Sequence, residues 1–220
     1  MKQKPSETSR DKSGKKGVSR RGFIQSLGLA GAAANLPLMN GCAGGPSVPE
    51  IPAEGVAGAV DITLRVNGKE VKINVEPRVT LLDALRDHLK LGSSDPVDLT
   101  GSKRACDRGS CGACTMIVGG KTVYSCTTLA IEAQGKDIRT VEGLAKGGEL
   151  HPVQQAFVEC DGLMCGFCTP GFIMSSVACL EKHPNASRHE IQQSLDGNIC
   201  RCGTQPRALE AVMKAQKGRR

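Results

Sequence analysis

Tryptophan is absent from the 220 residues, tyrosine occurs once and phenylalanine four times. With so little aromatic mass, any core must be built from Val, Leu, Ile and Ala around something else, and the stacking platforms that hold single-stranded nucleic acids are missing. A basic surface is missing as well. The formal charge of +7 is concentrated in residues 1–21, which hold eight Lys or Arg against two acids, while the other 199 residues carry 21 basic and 20 acidic groups. Phosphate binding needs a clustered positive stripe, so nucleic acid is excluded as a partner. No apolar run approaches the ~20 residues that cross a bilayer core, and no Gly-x-Gly-x-x-Gly loop for a flavin or nicotinamide dinucleotide occurs. The chain has instead 11 cysteines and 27 glycines, in a background that is 39% hydrophobic and therefore able to bury a core.

The basic N-terminus reads as a targeting segment. Ser19-Arg20-Arg21-Gly22-Phe23-Ile24 is followed by the 13 apolar residues 27–39, disturbed only by Asn35 and Pro37, a length that fits a signal h-region. The paired arginines with Phe23 resemble a twin-arginine export signal, the class that carries proteins across already folded. Residues 1–45 are therefore expected to export the protein to the periplasm. Cys42, in Asn40-Gly41-Cys42-Ala43, is a candidate lipid anchor that would add membrane association, although Met39 and Asn40 fit a lipoprotein cleavage site poorly. Residues 46–60, rich in Gly, Pro, Ala and Ser, form a linker.

Beyond the linker the pattern becomes ordered. Ile62, Leu64 and Val66 alternate with polar residues up to Asn67-Gly68, and Val71, Ile73 and Val75 alternate after it, which predicts a hairpin. Thr80, with Asp83 three residues on, predicts the start of a helix bearing Leu85 and Leu89 on one face. A Gly- and Cys-rich loop at 101–114 leads to a second hairpin turning at Gly119-Gly120 and a short strand at 137–141. Residues 61–145 thus predict a small α+β domain. Residues 149–216 predict an all-α domain of four short helices: 151–160, one N-capped by Thr169 with Pro170 in its first turn, one opened by the Ser187/Glu190 capping box, and one from Pro206.

Eight cysteines fall into two groups. Cys106, Cys111 and Cys114, followed by Cys126, have the Cys-x4-Cys-x2-Cys…Cys spacing of a plant-type 2Fe-2S site. Small residues between them let the backbone approach an inorganic core and aim N–H groups at its sulfurs. Cys165 and Cys168, with Cys200 and Cys202 far downstream, make a less specific set that suits zinc, a redox disulfide or a cluster equally. Each pair lies beside a predicted helix start, at Thr169-Pro170 and Thr204-Gln205-Pro206, where the helix dipole favours thiolates. Such close spacings make poor structural disulfides, and Cys160 and Cys179 read as small buried thiols. His88, His151, His183 and His189 are scattered and read as surface or capping residues. Ser110 and Ser125 lie beside ligands without a base that would make either a nucleophile.

Taken in order, these motifs resemble the small iron–sulfur subunit of the molybdenum hydroxylases, the xanthine dehydrogenase and aldehyde oxidoreductase family. The resemblance is carried by residues 106–115, by Gly162-Leu163-Met164-Cys165-Gly166-Phe167-Cys168-Thr169-Pro170-Gly171, and by Gly197-Asn198-Ile199-Cys200-Arg201-Cys202-Gly203. It implies a β-grasp ferredoxin domain followed by an all-α four-helix domain, each holding one 2Fe-2S cluster. It further implies that chemistry occurs on a separate molybdenum-pterin large subunit, and that this chain relays electrons. They would pass from the cluster of Cys165, Cys168, Cys200 and Cys202 to that of Cys106, Cys111, Cys114 and Cys126, then on to a flavin subunit or a c-type cytochrome. Cys202 would also lie against the pterin. Met164 stands where the family usually has a pterin-contacting Gln, and a thioether accepts hydrogen bonds weakly and donates none.

The exported members resembled most are periplasmic aldehyde oxidases, so aldehyde oxidation to carboxylic acid is the expected reaction. The alternatives are a free-standing two-cluster ferredoxin, or the small subunit of a hydroxylase acting on purines or N-heterocycles. A zinc- or disulfide-stabilised binding module would be the choice for a colourless protein. An apolar patch on the helical domain would favour a fixed complex, and an acidic docking face a mobile carrier.

Overall fold

The computed structural model describes residues 58–89 and 99–218. The export segment, Cys42 and most of the linker lie outside the described residues. The rest belongs to one compact unit, Pro52–Arg220.

Strand β1 (Val60–Val66) and strand β2 (Lys69–Val75) pair antiparallel from Val60 opposite Val75 to Val66 opposite Lys69. Asn67 and Gly68 both take positive φ, 51° and 83°, as the tight turn that matches strand twist requires. Ile62, Leu64, Val66, Ile73 and Val75 are buried and their alternates face outward, as period two dictates. Thr80 accepts a hydrogen bond from the Asp83 N–H and starts helix α1, which is α-helical over Leu81–Asp83. It then loosens to i→i+5 bonding over Ala84–His88, where a plain α-helix is predicted. Strands β3 (Thr115–Val118) and β4 (Lys121–Tyr124) form the second hairpin, and β5 (Asp137–Arg139) completes a sheet of order β2-β1-β5-β3-β4. β5 runs parallel to β1 and antiparallel to β3. It is shorter than predicted because Thr140 turns aside. Its N–H donates to Asn67 Oδ1 and its Oγ1 accepts from Asn67 Nδ2, both at 2.9 Å.

Four helices follow: α2 (Pro152–Glu159), α3 (Thr169–Lys182), α4 (Arg188–Leu195) and α5 (Gln205–Gly218). The Ser187/Glu190 capping box forms as predicted, and His151 with Gln154 makes another at α2. Thr169 is not the cap of α3. Cys168 holds that position, and Thr169 is the first helical residue. Phe157, Phe172, Met174, Val177, Leu180, Ile191 and Val212 make the helical core.

Strand β3 joins the two halves. All four of its residues are buried: Met116 and Val118 pack into the sheet core with Leu64 and Ile138, while Ile117 packs into the helical core. A strand covered on both faces reads as a continuous apolar run rather than an alternation. Arg139 of β5 adds a two-pronged ion pair to Glu181 of α3, at 2.8 and 3.0 Å.

Candidate metal centres

The cysteine loop between α1 and β3 folds back on itself, so that Cys106 and Cys111 are hydrogen-bonded neighbours. Cys114, on the last loop residue before β3, neighbours Cys126 in the single turn after β4. Leu82 of α1 and Tyr124 pack against the Cys114–Cys126 pair. In the helical half, Cys168 at the head of α3 neighbours Cys200, and Cys165 neighbours Cys202. The eight cysteines singled out from spacing thus assemble into two quartets, each made of two pairs. All ten described cysteines are free thiols.

Pairs of pairs suit a two-iron core, in which each iron takes two protein ligands. A single zinc ion would need at least three ligands converging on one point, and among the described residues no three His, Cys, Asp or Glu side chains do so. Backbone N–H groups are already aimed at sulfur: Gly109 at Cys126 and Ser110 at Cys106, each at 3.3 Å, and Thr204 at Cys200, at 3.5 Å. The Thr204 hydroxyl lies 3.0 Å from Cys200 Sγ. One buried side-chain polar atom among the described residues lacks any partner, Thr169 Oγ1, immediately after Cys168. A hydroxyl left so beside a thiol quartet fits a site built to surround further acceptor atoms. The residues present therefore fit two 2Fe-2S groups.

The thiols are electrostatically unequal. Burial pushes Cys168 up to about 12, reinforced by its hydrogen bond with Cys200. Burial also works against a Cys200 thiolate, but the Thr204 hydroxyl and N–H and the Cys168 thiol outweigh it and bring Cys200 to about 7. In the other quartet, burial and the Cys114 thiol raise Cys126 to about 12, while the Arg108 backbone brings Cys106 down to about 7. Each quartet thus pairs a thiolate-prone sulfur with a reluctant one, and iron, when bound, takes the place of the proton that the reluctant sulfur keeps.

The two centres differ in exposure. Cys114 and Cys126 are buried, whereas Cys165 and Cys202 are exposed. Flanking the quartet's cysteines along the chain, Leu163, Met164, Phe167 and Ile199 are exposed, Met164 at 72%, and Arg201 is exposed between its two cysteines. Cys179 is buried and accepts a hydrogen bond from the Ser194 hydroxyl at 3.1 Å, as befits a structural thiol. A cleft of about 620 Å³ is lined by Asn67, Asp137, Arg139, His151 and Glu181 among others, and no cysteine lines it. Sequence reasoning missed the role of Thr204, taken as part of a helix start though its hydroxyl is on sulfur, and gave none to Asn198 or Tyr124. Only the Cys-x-Cys-x-Thr spacing signalled Thr204.

Two family models match the chain: the 2Fe-2S iron-sulfur cluster binding domain over residues 63–161 and the [2Fe-2S] binding domain over residues 140–213. The aldehyde oxidoreductase iron-sulfur-binding subunit PaoA of Escherichia coli O157:H7 is 39% identical over 214 residues, covering 90% of this chain and 88% of that protein. The nicotine 6-hydroxylase small subunit of Paenarthrobacter nicotinovorans is 44% identical over 156 residues, covering 71% and 89%. Among solved structures, quinoline 2-oxidoreductase from Pseudomonas putida 86 aligns with a TM-score of 0.67 at 36% identity, over 74% of this chain and 96% of that one. With paired cysteine quartets on a ferredoxin sheet and a four-helix domain, and with these relatives, the chain belongs to the electron-transferring iron–sulfur subunits of the molybdenum hydroxylases.

Proposed function

We propose that this chain serves an exported molybdenum hydroxylase that oxidises aldehydes to carboxylic acids, with Cys165, Cys168, Cys200 and Cys202 holding the cluster that faces the molybdenum-pterin subunit. Cys106, Cys111, Cys114 and Cys126 hold the second cluster. When bound, the clusters supply one-electron redox chemistry. The protein supplies thiolates, N–H donors to sulfur, and exclusion of water from Cys114 and Cys126. The observation that carries the orientation is the exposure of Leu163, Met164, Phe167 and Ile199, which flank Cys165, Cys168 and Cys200 along the chain, since clustered exposed apolar side chains mark protein interfaces. Cys202 and Met164 are the residues assigned to the pterin side, Met164 as an apolar contact only. Such exposure favours a fixed complex over a mobile ferredoxin.

Aldehydes are favoured by the similarity to the aldehyde oxidoreductase subunit along 90% of this chain. A second reading, an N-heterocycle substrate, is favoured by the 44% identity to the nicotine 6-hydroxylase subunit. The Arg20-Arg21 segment supports periplasmic location by the twin-arginine route, with lipidation of Cys42 as an added anchor. Among the described residues no helix is long and apolar enough to cross a membrane. A flavin subunit is the proposed electron acceptor, with a c-type cytochrome as the alternative.

Affinity purification of the C-terminally tagged chain from its host tests this reading. About four iron atoms per chain and a co-purifying molybdenum subunit active on aldehydes are expected. Four iron atoms with no partner would mean a free electron carrier, and activity confined to N-heterocycles would replace the substrate. Retention of an Arg20→Lys/Arg21→Lys chain in the cytoplasm is expected, and normal export of it would remove the localisation claim.

A further inference from the structure

The first cysteine loop is held from two sides. From Cys111 to Cys114 four successive carbonyls accept hydrogen bonds. That of Cys111 accepts from the Ile199 N–H at 2.9 Å, and that of Gly112 from Asn198 Nδ2 at 3.0 Å as well as from the Thr115 hydroxyl at 2.7 Å. Those of Ala113 and Cys114 accept from the Lys103 N–H at 3.1 Å and the Ser125 hydroxyl at 2.8 Å. The last two donors belong to the sheet half, whereas Ile199 and Asn198 belong to the helical half. Asn198 is buried and its amide is fully used, for Nδ2 also reaches Thr115 Oγ1 at 3.4 Å and Oδ1 accepts from Ser175 Oγ of α3 at 2.7 Å. The approach is close. A Cβ on Gly112, whose φ is 69°, would strike the Gly197 carbonyl and the Asn198 amide, and one on Gly171 would strike the Gly112 carbonyl.

Along residues 105–110 the loop is exposed or half-buried, and its Gly109 and Ser110 N–H groups go to the sulfurs of Cys126 and Cys106. The place of Cys106 is therefore set by where its hydrogen-bonded neighbour Cys111 is held. Cys114 and Cys126 are buried and fixed within the sheet half through Ser125. A buried carbonyl that loses its donor is costlier than the bond is favourable when made. The Cys106–Cys111 pair is thus the part of the first quartet that a residue of the other half can loosen. Cys200 draws its hydroxyl and N–H donors from Thr204, inside the helical half, so the dependence runs chiefly one way.

We propose that Asn198 is a positioning residue of the sheet-domain site. Acting on the Gly112 carbonyl, with the neighbouring Ile199 N–H on that of Cys111, it lets the helical half hold Cys111, and through it Cys106, in the first quartet. The inference rests on the ligand assignment proposed above.

The test uses the full chain with both centres loaded, exposed to an iron chelator and a thiol-alkylating maleimide together, with the labelled cysteines mapped by mass spectrometry over time. Asn198→Ala is expected to speed labelling of Cys106 and Cys111 roughly fivefold or more, as loss of a buried hydrogen bond implies for a local opening, with Cys165, Cys168 and Cys202 at the parent rate. Ser175→Ala, which frees the other end of the amide, should act at the same two cysteines by a smaller factor, and Glu181→Ala, which loosens the halves away from this contact, should act at none. Parent rates at Cys106 and Cys111 in both Asn198→Ala and Ser175→Ala would overturn the proposal. Equal acceleration at both quartets, or an equal effect of Glu181→Ala, would also overturn it, by assigning Asn198 to general packing between the halves. If Asn198→Ala does not fold, Ser175→Ala decides by the same outcomes. Failure of the unmutated chain to protect either quartet would instead sink the ligand assignment.

Discussion

At the scale of the residue, chemistry here is set by what surrounds each sulfur. Thr204 gives Cys200 both an N–H and a hydroxyl, and hydrogen bonds to ligand sulfur stabilise the more negative, reduced state of a cluster. Thr204→Val keeps the shape and removes the hydroxyl. It is expected to lower the midpoint potential of the helical-domain centre by a few tens of millivolts, the equivalent of about one hydrogen bond for a one-electron couple, read by redox titration with the other centre as internal control. Cys168→Ser is expected to lower iron from about four to about two per chain, with the signal of the sheet-domain centre retained. Equal loss of both signals would show that the centres assemble together.

At the scale of the element, short helices are fixed by their caps. Helix α4 starts with Ser187 Oγ accepting from the Glu190 N–H at 3.3 Å, while the Glu190 carboxylate accepts from the Ser187 N–H at 2.7 Å. Ser187→Ala is expected to cost about 1 kcal/mol, seen as a lower melting temperature with iron content unchanged. The Ser187 backbone N–H, then its hydroxyl, hold the Glu190 carboxyl below its ordinary range. A carboxyl depressed on folding stabilises the native state above its unfolded value, and that stability is lost as pH falls through the folded value. The melting temperature of the parent should therefore fall more between neutral and acidic pH than that of Glu190→Gln, and equal falls would show that the carboxylate contributes nothing. At α1, Thr80 capping was legible from its spacing to Asp83, but the change to i→i+5 bonding at Ala84 was not, since Leu85 and Leu89 satisfy either helix.

At the scale of the whole molecule, apolar packing rather than ion pairing holds the halves together. Arg139 and Glu181 have side chains 37% and 41% exposed, and pairs so solvated contribute under about 1 kcal/mol. Glu181→Ala is expected to leave the melting temperature within about 3 °C of the parent. Phe172 is 2% exposed in the helical core, and Phe172→Ala is expected to cost about 3–5 kcal/mol, near 10 °C in melting temperature. A larger loss in the first variant than in the second would reverse this ordering.

The sequence by itself determined the two hairpins, the Thr80 and Ser187 caps and the grouping of eight cysteines into two closely spaced sets, because period, turn residues and cysteine spacing act within a few residues of one another. It also placed a thiolate-friendly helix start after Cys168. Only the tertiary structure decided that Cys106 pairs with Cys111 and Cys168 with Cys200, that Thr169 lies inside its helix with its hydroxyl unpartnered, and that Ile117 faces a second core. Asn198 shows why. Its partners Gly112, Thr115 and Ser175 lie 86, 83 and 23 residues away, and a contact closed over such distances leaves no local pattern, because it exists only once both cysteine loops have been brought face to face.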